Sequence, residues 1–105
     1  MASKVQNALR PGGTTWGTLI TGTATPIVVN LSACNDGGSA DGGVYIAVIP
    51  NGGTRSSTHY IEGGVSLAAK GVIERTGIVL GNGDKIDVQS ATGSVSFVAW
   101  GVDLG

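Results

Sequence analysis

The last third of the chain, Gly77 to Gly105, holds two β-type runs with little charge, and the final run is apolar on both faces. Successive strand residues point to opposite sides of a sheet. Counted from Ser94, one parity presents Val95, Phe97 and Ala99, and the other presents Val98, Trp100, Val102 and Leu104. An antiparallel strand with one solvated side needs only one apolar face. The second face calls for a cover, and in a chain of 105 residues another copy of the chain is a candidate. Val44 to Pro50 repeats the pattern, with Val44, Ile46 and Val48 alternating against Tyr45, Ala47 and Ile49.

The remaining pattern predicts short strands separated by turn clusters. Thr14 to Thr21 and Thr25 to Cys34 are rich in Thr, Ile and Val, which suit a pleated surface. Asn35 to Gly43 reads as a polar loop and Asn51 to Thr58 as a polar connection carrying Arg55. His59 to Glu62 suggests an edge strand, and Val65 to Ala69 a helical turn or a bend. Lys70 to Thr76, Lys85 to Gln89 and Ser94 to Leu104 alternate as strands, with a tight turn at Gly81-Asn82-Gly83-Asp84. Seven or eight strands about ten residues apart predict an antiparallel β-sandwich, jelly-roll or immunoglobulin-like, over residues 14–105. Residues 1–13 differ, with Lys4, Arg10, weak apolar periodicity at Val5, Ala8 and Leu9, and a Pro11-Gly12-Gly13 stop. They read as a short N-terminal arm that orders on a partner or frays.

Composition narrows the function classes. Charged residues make up 12% and the net charge is −1, so no electrostatic footprint for nucleic acid or an anionic membrane is present. The 19 glycines follow no G-X-Y period, which excludes a collagen-like chain, and 41% apolar residues argue against disorder. No apolar run approaches the ~20 residues of a membrane span, and the start lacks the apolar core of a secretory signal. Cys34 is the single cysteine, so neither an intramolecular disulfide nor a cysteine metal cluster is expected. A buried small hydrophobe is its plainest reading.

Catalytic signatures are absent. His59 is the sole histidine, and no Gly-x-Ser-x-Gly elbow accompanies the serines. Asp36 and Asp41 flank Gly37-Gly38 in a loop whose oxygens suggest calcium, but the spacing is not that of an EF-hand and Asn-Asp-Gly-Gly is ordinary turn chemistry. The Gly-Gly pairs lack the lysine and helix of a phosphate loop. The expectation is a protein that is not an enzyme, without cofactor or metal. Trp16 and Trp100 fit core or subunit contacts, or less readily a sugar-stacking platform.

The segments PIVVNLSACNDGG, VYIAVIP, HYIEGG, SLAAKG and LGNGD carry a resemblance that covers roughly Pro26 to Val102. In that order they resemble small structural proteins of tailed-bacteriophage virions. The resemblance implies a virion component made in the host cytoplasm, foremost a capsid cement or decoration protein bound to the major capsid protein. A tail, neck or fibre part is the alternative, and a carbohydrate-binding or adhesin module a third reading. It also implies a homo-oligomer, with a trimer at threefold positions of the shell the natural stoichiometry, and neither nucleic acid nor membrane as partner. Val5, Leu9, Arg10, Trp16, Val98, Trp100, Val102 and Leu104 are the candidate interface residues.

Overall fold

A computed structural model describes residues 3–105. Eight strands form in chain order: β1 (Ser3–Leu9), β2 (Gly17–Thr21), β3 (Ile27–Asn35), β4 (Asp41–Ile49), β5 (Tyr60–Leu67), β6 (Val72–Leu80), β7 (Lys85–Gln89) and β8 (Val95–Asp103). One 3-10 turn, Ser57–His59, precedes β5. The strands make two four-stranded sheets, ordered β1-β8-β3-β6 and β2-β7-β4-β5. Pairing is nested: β1 with β8, β2 with β7, β3 with β6 and β4 with β5, all antiparallel. A long hairpin rolled so that its paired strands fall alternately into two sheets is a jelly roll. The strand order thus decides between the two sandwich topologies that spacing alone left open.

Period-two patterning explains the core. β3 alternates strictly, with Ile27, Val29, Leu31 and Ala33 buried and Val28, Asn30, Ser32 and Cys34 turned outward. On β8, Val95, Phe97 and Ala99 are fully buried and meet Leu19, Val44, Ile46, Leu67, Leu80, Ile86 and Val88 from the other strands. At about 25 cal/mol per Å² of apolar area, burying each Val, Leu, Ile or Phe among these stabilises the fold by roughly 1.5–3 kcal/mol before chain entropy is subtracted.

Three local expectations change. The segment read as an arm is largely β1, hydrogen-bonded to β8 from Ser3↔Asp103 to Leu9↔Phe97; Met1 and Ala2 lie outside the described residues. Val5 and Leu9 pack against the core, which is what holds this strand in the sheet. Val65 to Leu67 belongs to β5 and makes no helical turn. The strand runs unbroken through Gly63 and Gly64, and register shifts beside them absorb the irregularity. Cys34, expected buried, is half-exposed on the outer side of β3.

The two sides of the sandwich are closed by polar links. Asn7 Nδ2 donates to the Leu19 carbonyl at 2.7 Å, joining edge strands β1 and β2. On the other side Arg75 on β6 is bonded to Glu62 on β5. One glycine of β8 is obligatory: a Cβ on Gly101 would sit 1.8 Å from the Val28 carbonyl oxygen, backbone that cannot step aside.

Candidate interaction surfaces

The outer faces of the two sheets differ in how their surplus apolar residues are treated. Register on the β1-β8-β3-β6 sheet aligns Lys4, Val102, Val28 and Val79 in one row across all four strands. Residues directly opposite on antiparallel strands share a face. A second row holds Ala8, Val98, Ser32 and Glu74, and between the two lie Gln6, Trp100 and Asn30. Val79 is 62% exposed, Val102 42% and Trp100 37%. Leu104 extends this surface beyond β8 at 56% exposure, its amide bonded to the Pro26 carbonyl. Of the sequence candidates, Val98, Trp100, Val102 and Leu104 therefore gather on one solvent-facing surface. Val28 and Val79 join them; their side could be assigned only once the register was known.

The outer face of the β2-β7-β4-β5 sheet is covered from within. Segment 50–59 folds back on it: the Asn51 amide donates to Asp84 Oδ1 at 2.9 Å, and Arg55 Nη1 reaches Asp87 Oδ2 at 2.7 Å. Beneath it Ala47 and Ile49 lose all exposure, and Asp87 nearly all. Thr18 Oγ1 also donates to Asp87, at 2.8 Å, so both carboxylate oxygens have a partner. The Arg55 guanidinium lies 4.3 Å from the centre of the Trp16 ring. Trp16 in turn stacks on Tyr60 at 5.9 Å and tilts against Tyr45 at 5.7 Å, while the two tyrosines meet edge to face at 5.3 Å. Gly64, at φ +79, lets the Tyr45 hydroxyl come within 3.0 Å of where its Cβ would stand. Trp16 is thus set apart from Trp100, and the half-buried aromatics form a three-ring cluster that the spacing of residues 16, 45 and 60 in the sequence does not announce.

The polar candidates resolve into structural roles. Asp41 is fully buried at the start of β4 and accepts from the amides of Gly43, Ala91 and Thr92 and from the hydroxyls of Ser90 and Thr92. Burial pushes its carboxyl up, but the Ser90 hydroxyl, the Gly43 amide and the Thr92 hydroxyl and amide outweigh it and hold the pKa down to about 2. Asp36 points elsewhere, to Arg10 Nη2 at 2.9 Å, and that hydrogen bond lowers its pKa and raises that of Arg10. Arg10 Nε donates to Ser96 Oγ as well, so this candidate is tied into its own subunit. The two aspartates therefore do not converge, and no group of three or more His, Cys, Asp or Glu side chains able to hold a metal occurs among the described residues. His59 accepts at Nδ1 from the Ser56 amide at 3.2 Å, capping its own turn. Among the described residues no helix is long and apolar enough to cross a membrane.

No protein-family model matches the chain, and no curated protein matches it. Among solved structures the chain is similar to one in the structure of infectious bursal disease virus Gx strain, at 15% identity and a TM-score of 0.34. That alignment covers 95% of this chain and 27% of the other, so this chain spans about a quarter of the length of the chain it resembles.

Proposed function

We propose that the protein is a structural component of a bacteriophage virion, a cement or decoration protein that binds the capsid and stabilises the shell. The observation that carries this reading is the open apolar surface Val79, Val28, Val102 and Trp100, which lies outside a sandwich whose core is already filled by Val95, Phe97 and Ala99. Contiguous exposed apolar area of this kind is characteristic of surfaces that bind other proteins. The pattern resemblance to phage virion proteins supplies the kind of assembly. In this reading the protein is not an enzyme, its partners are the major capsid protein or other virion proteins, and many identical weak contacts give tight attachment. Counting copies in purified particles by mass spectrometry is the test. Hundreds per virion support a cement protein, a few to tens make it a tail, neck or fibre part, and absence from particles removes the virion reading.

A second reading rests on the Trp16, Tyr45 and Tyr60 cluster beside Arg55. Jelly rolls serve in lectins as well as in capsids, so topology does not choose between them. Aromatic rings flanked by hydrogen-bonding groups suit the apolar face and hydroxyl rim of a sugar. Glycan-array binding lost in Tyr60→Ala and kept in Trp100→Ala would support a carbohydrate-binding module; no glycan binding by the native protein would dismiss it.

A further inference from the structure

We infer that the outer face of the β1-β8-β3-β6 sheet pairs with the same face of a second copy about a two-fold axis, placing Lys4 of each copy over Glu74 of the other. This inference does not depend on a virion role: it gives the face to a second copy of the chain, which competes with any other protein for the same residues. Rows Lys4-Val102-Val28-Val79 and Ala8-Val98-Ser32-Glu74 frame the middle of the face, and Ser96, Cys34 and Val72 form a further row beyond the second. The first two lie four residues apart along β8, about 13 Å, and β1 lies three strand spacings from β6, about 14 Å. The four ends, Lys4, Val79, Glu74 and Ala8, therefore mark the corners of a near-square, with the opposite charges on one diagonal and the two apolar residues on the other. Neither the Lys4 nor the Glu74 side chain has a hydrogen bond or ion pair among the described residues.

A two-fold axis lying in the interface along the Val79–Ala8 diagonal exchanges the other two corners. Two Lys4–Glu74 pairs then form at once, Val79 meets Val79, Ala8 meets Ala8, and Trp100 lies near the centre. Self-complementarity of one patch is what an isologous dimer requires. The same operation crosses the strands of the two copies at about 90°, one of the two ways in which sheets stack face to face. An axis along the strands would instead lay Lys4 over Val79, burying a charge against an apolar side chain. Arg10 and Asp36 pair with each other at the rim of this face, where Lys70 also donates to the Asp36 carbonyl, and Asp103 at the Lys4 end accepts from the Thr23 and Thr25 hydroxyls.

The size of the face fits a reversible pair. Crossed at about 90°, two faces of four strands about 4.8 Å apart overlap over roughly 370 Å² in projection, about half of the ~800 Å² per partner of a standard interface. Association is therefore expected in the micromolar range and must be read across protein concentration.

Sedimentation equilibrium on the full chain tests the inference, with a thermal melt of each variant to confirm folding. The native protein should show a monomer–dimer equilibrium. Lys4→Glu and Glu74→Lys each place like charges together twice in the dimer, and each should weaken association about tenfold. An equimolar mixture of these two variants restores both opposite-charge pairs across a heterodimer and should associate like the native chain. Val79→Asp, an exposed position on the axis, should leave a folded monomer. A native protein that stays monomeric to about 1 mM, one that forms trimers, or a mixture that associates no better than its components would overturn the inference.

Discussion

Arg55 holds Asp87. Its guanidinium, on a segment that folds back over the sheet, bonds at 2.7 Å to a carboxylate that is 2% exposed, and the same group covers the Trp16 ring. Removing one partner of a buried pair leaves a charge without compensation, which costs about 3–5 kcal/mol when both groups are buried. Arg55 is a third exposed, so Arg55→Ala should cost less, about 2 kcal/mol, by urea denaturation. Tryptophan fluorescence should change with it, since Trp16 loses its covering cation. Arg55→Lys should recover stability only in part, because an ammonium does not lie flat on an indole while bonding sideways to a carboxylate.

Asp41 links the fold to pH. Its folded pKa of about 2 lies below the ordinary 3.8, so the unfolded chain binds the proton more readily. The resulting stabilisation is fully present above pH ~4 and is lost as pH falls through about 2. The gap corresponds to about 2 kcal/mol at neutral pH. Asp41→Asn should lower the unfolding free energy measured by urea denaturation at pH 7 by that amount and flatten the slope of stability between pH 4 and 2. An unchanged slope would mean that the network around Ser90 and Thr92 does not hold the ionised form.

Two glycine substitutions should separate backbone contact from open space. Gly101→Ala drives a methyl into the Val28 carbonyl and should cost about 3 kcal/mol or more, or prevent folding. Gly38→Ala meets nothing within 4 Å and has no positive φ, so its stability should stay unchanged or rise by about 0.4–1 kcal/mol. Thermal melts of the two proteins side by side make the comparison.

Neighbouring positions on β8 should respond oppositely. Phe97 is fully buried, and Phe97→Ala should lose about 3–5 kcal/mol. Trp100→Ala, on the other side of the strand, should change monomer stability by no more than ~0.5 kcal/mol, measured at a concentration too low for association. A large loss at Trp100 would show that its face is covered within the chain.

Much of the architecture was readable from the sequence because alternation is a local signal. The strict pattern of Ile27, Val29, Leu31 and Ala33 sets both a strand and its inward side. The Gly81 to Asp84 turn is equally local: the Asp84 amide returns to the Gly81 carbonyl, and the Asp84 side chain caps the Gly81 amide. β1 escaped because Ser3 to Leu9 has only two apolar anchors, Val5 and Leu9, and gains its place from seven residues of pairing with a strand some ninety positions away. The Trp16, Tyr45 and Tyr60 cluster was hidden for the same reason, since no local rule joins the start of β2 to β4 and β5.

What the sequence alone determined is that two strands, Val44 to Ile49 and Val95 to Asp103, carry apolar side chains on both faces; composition and alternation suffice for that. Only the tertiary structure decided their different fates. Segment 50–59 and Arg55 fold over Ala47 and Ile49 and cover the first surplus inside the chain, whereas nothing in the described chain covers Trp100 and Val102. The distinction depends on which distant segment crosses which sheet, a non-local matter that alternation along one strand does not encode.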